Sequence, residues 1–460
     1  MNMKKTVLFL MNGFGIEQIN SYNIYSDKLM PNLDSYTKKY LFSSIESTAY
    51  DLVSGYREFS TGSKEPLTYL LIDNYVEKFG ENKNFQIYID SIKSEGKIHL
   101  FFSVESERCI EHLKSFLKYI KSKKNNLIYL HLVLTSPNVE NYKEIEKIIN
   151  KIIYDIKNCK IGIIVGINTL NSLNLTSFFN MFENEVGEKW KEITKKINAL
   201  VTTKIKPLDV KEFFMNEGFK FNNGDSIFFF NYEYCDLNNF MQFFNKLNFS
   251  VYSLFSINGI KYSMFSYPKS GISMLNNLNK IDSKALILSN KENIKIINYY
   301  CCGLENVISD KIFFSRTDNG LSPNFIKSVI RDSLYDLIII NYPIDSSSSL
   351  NELKDKLSKL DMFLGLVHDV CIEEKISLLI SSLYGMQKDI SIDNYTTATV
   401  NFYGKVPFIV VDPIFNKTNF SISIGNIYNL ANTVYTNINN KFDGQVLIRK
   451  KSSIEKLLKK

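Results

Sequence analysis

The sequence predicts an α/β protein with parallel sheets and helices packed on both faces. It further suggests more than one such unit. Two observations carry this. Along 460 residues, short apolar runs alternate with stretches whose apolar positions recur at helical spacing. Hydrophobic residues make up 45% and charged residues 22%, the composition of a globular chain able to bury sizeable cores. That balance excludes general disorder, a collagen-like chain and a small disulfide scaffold. No apolar run approaches the roughly 18–20 residues that cross a bilayer.

Taken in order, Thr6–Met11 is an apolar run closed by the turn Asn12-Gly13-Phe14-Gly15. Its apolar core is too short for a signal peptide and leads to no small-residue cleavage site, so it reads as a buried strand. Lys97–Phe102, Leu127–Leu134 and Lys160–Val165 are three more strands, separated by the helical stretches Cys109–Lys121 and Tyr142–Lys157. Asp225–Asn231 is a strand followed by the helical Leu237–Leu247. Later come strand Leu337–Asn341, a helix over Leu350–Cys371, and strands Ser377–Ser381 and Val406–Val411. A helix is expected over Ile424–Thr436 and a short basic one over Lys450–Lys460. Ser346–Ser349 is a loop. The strand pattern suggests an α/β unit in residues 1–75 and 282–460 with a second unit over 76–281; periodicity alone does not show this discontinuous arrangement, which rests on the resemblance given below.

The net charge of +7 comes from 50 lysines against five arginines, beside 50 asparagines. Such Lys, Asn and Ile richness matches AT-rich coding, so the basicity is not read as a nucleic-acid signal. Phosphate-handling sites favour the bidentate guanidinium, and this chain has few. The cysteines Cys109, Cys159, Cys235, Cys301, Cys302 and Cys371 form no CxxC and no metal spacing, which suits buried thiols in a reducing cytoplasm. With four histidines, His99, His112, His131 and His368, an imidazole-rich metal site has little to draw on. No HExxH, GxSxG, Walker or GxGxxG pattern is present. His368-Asp369 is a polar pair on a helix. Most of the 34 Phe and 27 Tyr, including Phe228–Phe230, are expected in cores, though aromatics also make good partner anchors.

The order of segments resembles the cofactor-independent phosphoglycerate mutases of the alkaline phosphatase superfamily. VLFLMNGFG is similar to that family's VLLILDGWG opening, and MPNLD to its TPNLD. GYREFSTGSKE stands where the family carries its nucleophilic serine. IHLFFSVESERCIEHLKSFLKYIK, NLIYLHLVLTSPN and NNGDSIFFFNYEYCD follow the pattern of its inserted domain. KENIKIINYYCCGLEN, LYDLIIINYP, LDMFLGLV, VPFIVVD and FDGQVLI fall in order after it. The resemblance covers nearly the whole chain. It implies an alkaline-phosphatase-like domain with an inserted α/β transferase-like domain.

The resemblance also implies a mutase using two divalent ions, usually manganese, to activate the serine, here Ser60. Such ions need carboxylate and imidazole donors. The Asp of the family's opening turn falls on Asn12. Its Asp-His pair falls on Leu383 and Tyr384, and a later His falls on Asn401. Its Asp and His after Asn341 match Asp345 and Ser349 only with one residue deleted. The substrate-binding positions change as well. Family arginines fall on Pro137, Ile167, Leu173, Glu233 and Asp236, a histidine on Glu107 and a lysine on Asn293, with Lys291 and Lys295 nearby. Carboxylates beside a phosphate repel it.

The expectation is a pseudoenzyme: a structural or partner-binding protein on the mutase fold, with another protein as partner, no metal, no nucleic acid, no membrane span, and Ser60 as a vestigial nucleophile. One alternative is an active manganese enzyme interconverting 3-phosphoglycerate and 2-phosphoglycerate through phosphoserine at Ser60. Another is a one-metal or metal-free hydrolase using Asn12, Ser60 and Asp345.

Overall fold

A computed structural model describes residues 4–16, 29–49, 52–62, 67–135, 141–156, 159–170, 175–232, 240–241, 244, 251–255, 260, 262–265, 274–302, 309–317, 322–332, 334–344, 350–390, 397–402, 404–415, 417–439 and 446–451. Contacts divide the chain into two units, Met1–Glu65 with Lys269–Lys460, and Pro66–Pro268. The sequence pattern sets the edges later, at 75 and 281. The helix Leu67–Asp73 goes with the second unit because Asp73 bonds Arg108 and His112.

In the first unit, a seven-stranded sheet runs in the order Ile312–Arg316, Ala285–Ser289, Leu337–Asn341, Thr6–Leu10, Ser377–Ser381, Gly404–Val411, Leu41–Ser47. The first five are parallel. Thr6–Leu10, Leu337–Asn341 and Ser377–Ser381 are buried along their whole length, which accounts for the apolar runs at their centres, with polar residues only at their ends. Gly404–Val411 pairs antiparallel on both sides, a departure from the expected all-parallel sheet. The chain reaches it from Ser381 through the ribbon Gly385–Ile390 with Thr397–Phe402, and a parallel return needs a crossover. Leu41–Ser47 was not legible as a strand. Its burial is broken by exposed Phe42 and Glu46 at the sheet's rim, so it shows no apolar run.

The long helix Leu350–Glu373 covers this sheet, with Leu357, Leu360, Leu364 and Val367 buried against Phe9 and Ile340. The helix expected from Ile424 begins as a 3₁₀ turn at Ile427–Asn429 and becomes α-helical over Leu430–Asn439. The reason is local: Asn426 and Asn429 cap each other reciprocally, and Ile424 lies outside at 95% exposure. Lys450 ends a strand, Ile448–Lys450, where a basic helix was expected; residues 452–460 lie outside the description.

The second unit has its own seven-stranded sheet, ordered Phe213–Phe214, Cys159–Gly166, Ile128–Leu134, Ile98–Val104, Ser226–Phe230, Val251–Phe255, Tyr262–Phe265. Only the Phe213–Phe214 pairing is antiparallel. Glu107–Lys123 and Tyr142–Asp155 are helical as their spacing predicts. Most of Leu237–Leu247 lies outside the described residues, but Phe240 and Phe244 are buried in an aromatic core with Phe101, Phe182 and Phe229. Phe228–Phe230 are core, as expected.

Candidate functional site

Leu10 pairs with Asn341 on one side and Ser381 on the other, so three central strands of the first unit end level. In open α/β sheets the ligand site lies off these carboxyl ends. Asn12 follows two residues later, in a turn that Gly13 makes possible with φ of 96°. The Asn12 side chain is 0% exposed. Its Nδ2 donates to Asn341 Oδ1, and its Oδ1 accepts the Leu383 amide at 2.9 Å. These partners fix the orientation of the amide. Asn341 Nδ2 donates in turn to Ser289 Oγ at 2.8 Å, and its Oδ1 also accepts from Tyr56 at 3.4 Å. Both ends of Asn12 are therefore used within the protein.

The segment Ser381–Gly385 is zipped to this turn. Gly13 donates its amide to the Tyr384 carbonyl at 3.0 Å, and Ser47 Oγ donates to the Leu383 carbonyl at 2.7 Å. A Cβ on Gly385 would stand 2.9 Å from the Gly15 Cα. Leu383 is 0% exposed, and a Cβ on Gly55 of the helix Leu52–Thr61 would lie 2.9 Å from its Cβ. An isobutyl group thus fills the space beside the helix that carries Ser60. Ser60 is itself 0% exposed, and its Oγ has no hydrogen-bond partner among the described residues. Sequence reading passed over Glu58 on the same helix, a carboxylate 2% exposed that accepts from Thr48 Oγ1 at 2.6 Å. A run of mixed polarity gave no signal that this acid points inward.

The structure brings Asn12, Leu383 and Tyr384 together and places the Ser60 helix against Leu383. Asn401 lies in the ribbon strand Thr397–Phe402, paired with Met386; its side chain is outside the description. Asp345 and Ser349 lie outside the described residues. Asn293 is in the first turn of Lys291–Cys301, where its amide is capped by Asn290 at 2.9 Å; Lys291 and Lys295 share that helix. In the second unit, Glu107 is paired with Lys147 and Lys151. The Lys147 hydrogen bond, then its charge, holds the Glu107 carboxyl below the usual range. Ile167 opens the short helix Ile167–Leu170. Pro137, Leu173, Glu233 and Asp236 lie outside the described residues.

A divalent ion of the kind the resemblance implies asks for several hard donors at once. Among the described residues, no three His, Cys, Asp or Glu side chains stand where they could hold one. The Asn12 oxygen already accepts an amide, and Leu383 offers no donor. The orphaned Ser60 hydroxyl alone is not a ligand set. The described residues do not fit a two-metal centre.

The histidines are engaged elsewhere. His112 bonds Asp73 at 2.7 Å and Tyr232 at 2.8 Å. His368 bonds Tyr40 and Asp369, both at 2.9 Å. The described cysteines are poor nucleophiles: burial pushes the Cys109 thiol up to about 11 and Cys371 up to about 12.

No family model matches the chain. The 2,3-bisphosphoglycerate-independent phosphoglycerate mutase of Clostridium tetani is 26% identical over 220 residues, covering 44% of this chain and 40% of the relative. That of Clostridium kluyveri is 24% identical over 149 residues, 28% of this chain and 29% of the relative. The matches thus span less than half the length of these curated relatives. A crystal structure of Leishmania mexicana phosphoglycerate mutase at low cobalt concentration superposes with a TM-score of 0.71 at 12% identity, over 98% of both chains. The chain has the fold of phosphoglycerate mutase and, over the matched segments, resembles the cofactor-independent enzymes.

Proposed function

We propose that this chain is a phosphoglycerate-mutase-fold pseudoenzyme, which keeps the fold, does not interconvert phosphoglycerates, and acts as a structural or partner-binding protein in the cytoplasm. The observation that carries the reading is Asn12. A metal ligand must present a free oxygen to the ion, and this amide is committed to Asn341 and Leu383. Leu383 packs where a second ligand would stand, and a nucleophile needs access that the buried Ser60 lacks. The changed positions Glu107, Glu233 and Asp236 add acids where a phosphate needs cations. With no catalytic centre, the role falls to the surface and to a protein partner. Five free cysteines among the described residues suit a reducing compartment. No described helix is long and apolar enough to cross a membrane.

The test is metal content by elemental mass spectrometry after equilibration with manganese and removal of free ion, followed by a mutase assay on wild type and Ser60→Ala. The expected result is near-zero bound metal and no 2-phosphoglycerate from either protein. About two tightly bound ions per chain, with Ser60-dependent turnover, would instead establish the active mutase with a phosphoserine at Ser60.

A further inference from the structure

We propose that the Pro66–Pro268 unit contains an acid-sensitive lock, a one-directional chain of hydrogen bonds from the Ile163 amide through His131 and His99 to Asp225. The inference is independent of whether the first unit holds a metal.

His99 and His131 are 0% exposed, and Asp225 is 8% exposed. They come from adjacent strands, Ile98–Val104 and Ile128–Leu134, and from the residue preceding Ser226–Phe230. The Ile163 N–H donates to His131 Nδ1 at 3.1 Å, so His131 carries its proton on Nε2. That proton is given to His99 Nδ1 at 3.0 Å, so His99 in turn carries its proton on Nε2. His99 donates it to Asp225 Oδ2 at 3.2 Å. Asp225 also accepts the amides of Lys97 at 2.6 Å and Asn222 at 2.8 Å, as an ionised carboxylate does. Every nitrogen of both rings is used, and every direction is fixed from one end to the other. A further proton on either ring would face a donor, either the Ile163 amide or the neighbouring imidazole. The chain is therefore closed to protonation while it is intact.

Asp225 favours a charged His99, but burial outweighs it, and the remaining surroundings give an imidazolium little relief. Phe101, Phe182 and Phe221 pack on the two rings with centroids 4.7–5.3 Å away. A Cβ on Gly162 would stand 2.7 Å from His131 Cε1, so the ring fills the gap against that strand. Besides Asp225, charged groups near the rings include Lys97, Lys160 and Glu185. Lys97 gives its ammonium to the Lys220 carbonyl and lies, like Lys160, over Tyr129. Glu185 accepts the Lys220 amide and acts on Tyr129. Burial holds the His99 imidazole below its usual range and His131 well below it. Burial would raise the Asp225 carboxyl, but the His99 bond and the Lys97 and Asn222 amides leave it lowered.

The sign follows from proton counting. In the unfolded chain each histidine takes up a proton below about pH 6.5; in the folded unit neither does. The unfolded state then binds more protons, so stability falls as pH drops below about 6.5 and is flat above it from this source. The unfolding constant should rise up to about tenfold per histidine per pH unit, or about 100-fold for the pair.

The experiment is a urea titration of the full chain at steps between roughly pH 8 and pH 5. Fluorescence of Trp190, the single tryptophan, reports on this unit. Wild type should show the steep rise of the unfolding constant below about pH 6.5, up to about 100-fold per pH unit, and His131→Gln, which keeps an acceptor and a donor but does not titrate there, only about tenfold per pH unit. Equal slopes would overturn the proposal. If the variant does not fold, ring ¹⁵N shifts of the wild-type protein decide. Both histidines should stay neutral with the proton on Nε2 until the unit unfolds. An imidazolium signal at either ring in the folded protein sinks the idea.

Discussion

The Asn12 side chain gives its NH2 to Asn341 and takes an amide from Leu383, so an aspartate there has nothing to offer Asn341. Asn12→Asp would set a buried carboxylate against a carbonyl oxygen. It should destabilise the protein by about 2–4 kcal/mol, read from chemical denaturation midpoints. Millimolar manganese should not restore the loss; full recovery with the metal would mean that the position is still a ligand site. Asn12, Leu383 and Tyr384 could be singled out in the sequence because the flanking motifs fix their places, and the structure brings them together. The compensating network could not be read there. Asn341 is 329 residues away, and in sequence it reads only as the polar end of a strand. Ser60 was legible as a position, but no property of the sequence shows that its hydroxyl is buried without a partner.

Among elements, the helix Pro31–Lys39 has no side-chain cap of its own. The carboxylate of Asp361, 2% exposed on the long helix, accepts the Asn32 amide at 3.0 Å and the Leu33 amide at 2.9 Å. One helix thus caps another, and a negative charge meets a helix N-terminus. Asp361→Ala should lower stability by about 1–3 kcal/mol in thermal or urea unfolding. A change within a few tenths would show the cap to be dispensable. Strands such as Leu337–Asn341 and Ser377–Ser381 could be read in full because burial on both faces demands an apolar run through their centres. Leu41–Ser47 could not, because half of it faces away from the core. The start of the helix Leu430–Asn439 is set by the Asn426–Asn429 cap, which apolar spacing does not encode.

At the scale of the molecule, Pro66–Pro268 is continuous in sequence and owns a seven-stranded sheet and an aromatic core. The segment 66–268 expressed alone should therefore fold, with dispersed amide resonances and one cooperative urea transition by Trp190 fluorescence. A collapsed, undispersed product would show that it depends on the rest of the chain. In the sequence, the order of the strands only suggested a discontinuous arrangement, and the family resemblance implied it. The edges are not written in apolar spacing, because Leu67–Asp73 and Met274–Lys280 are allotted by what they touch: the former bonds through Asp73, and the latter packs on Leu430–Asn439.

Gly15 and Gly385 meet so closely that a side chain on Gly385 would strike backbone. The contact between the two turns therefore requires glycine at both positions. Under the pseudoenzyme reading, restoring an acid or an imidazole singly at Asn12, Leu383 or Tyr384 lowers stability and returns no activity for selection to keep. The loss then works as an evolutionary ratchet: descendants of this chain can drift toward new surfaces far more easily than back to catalysis.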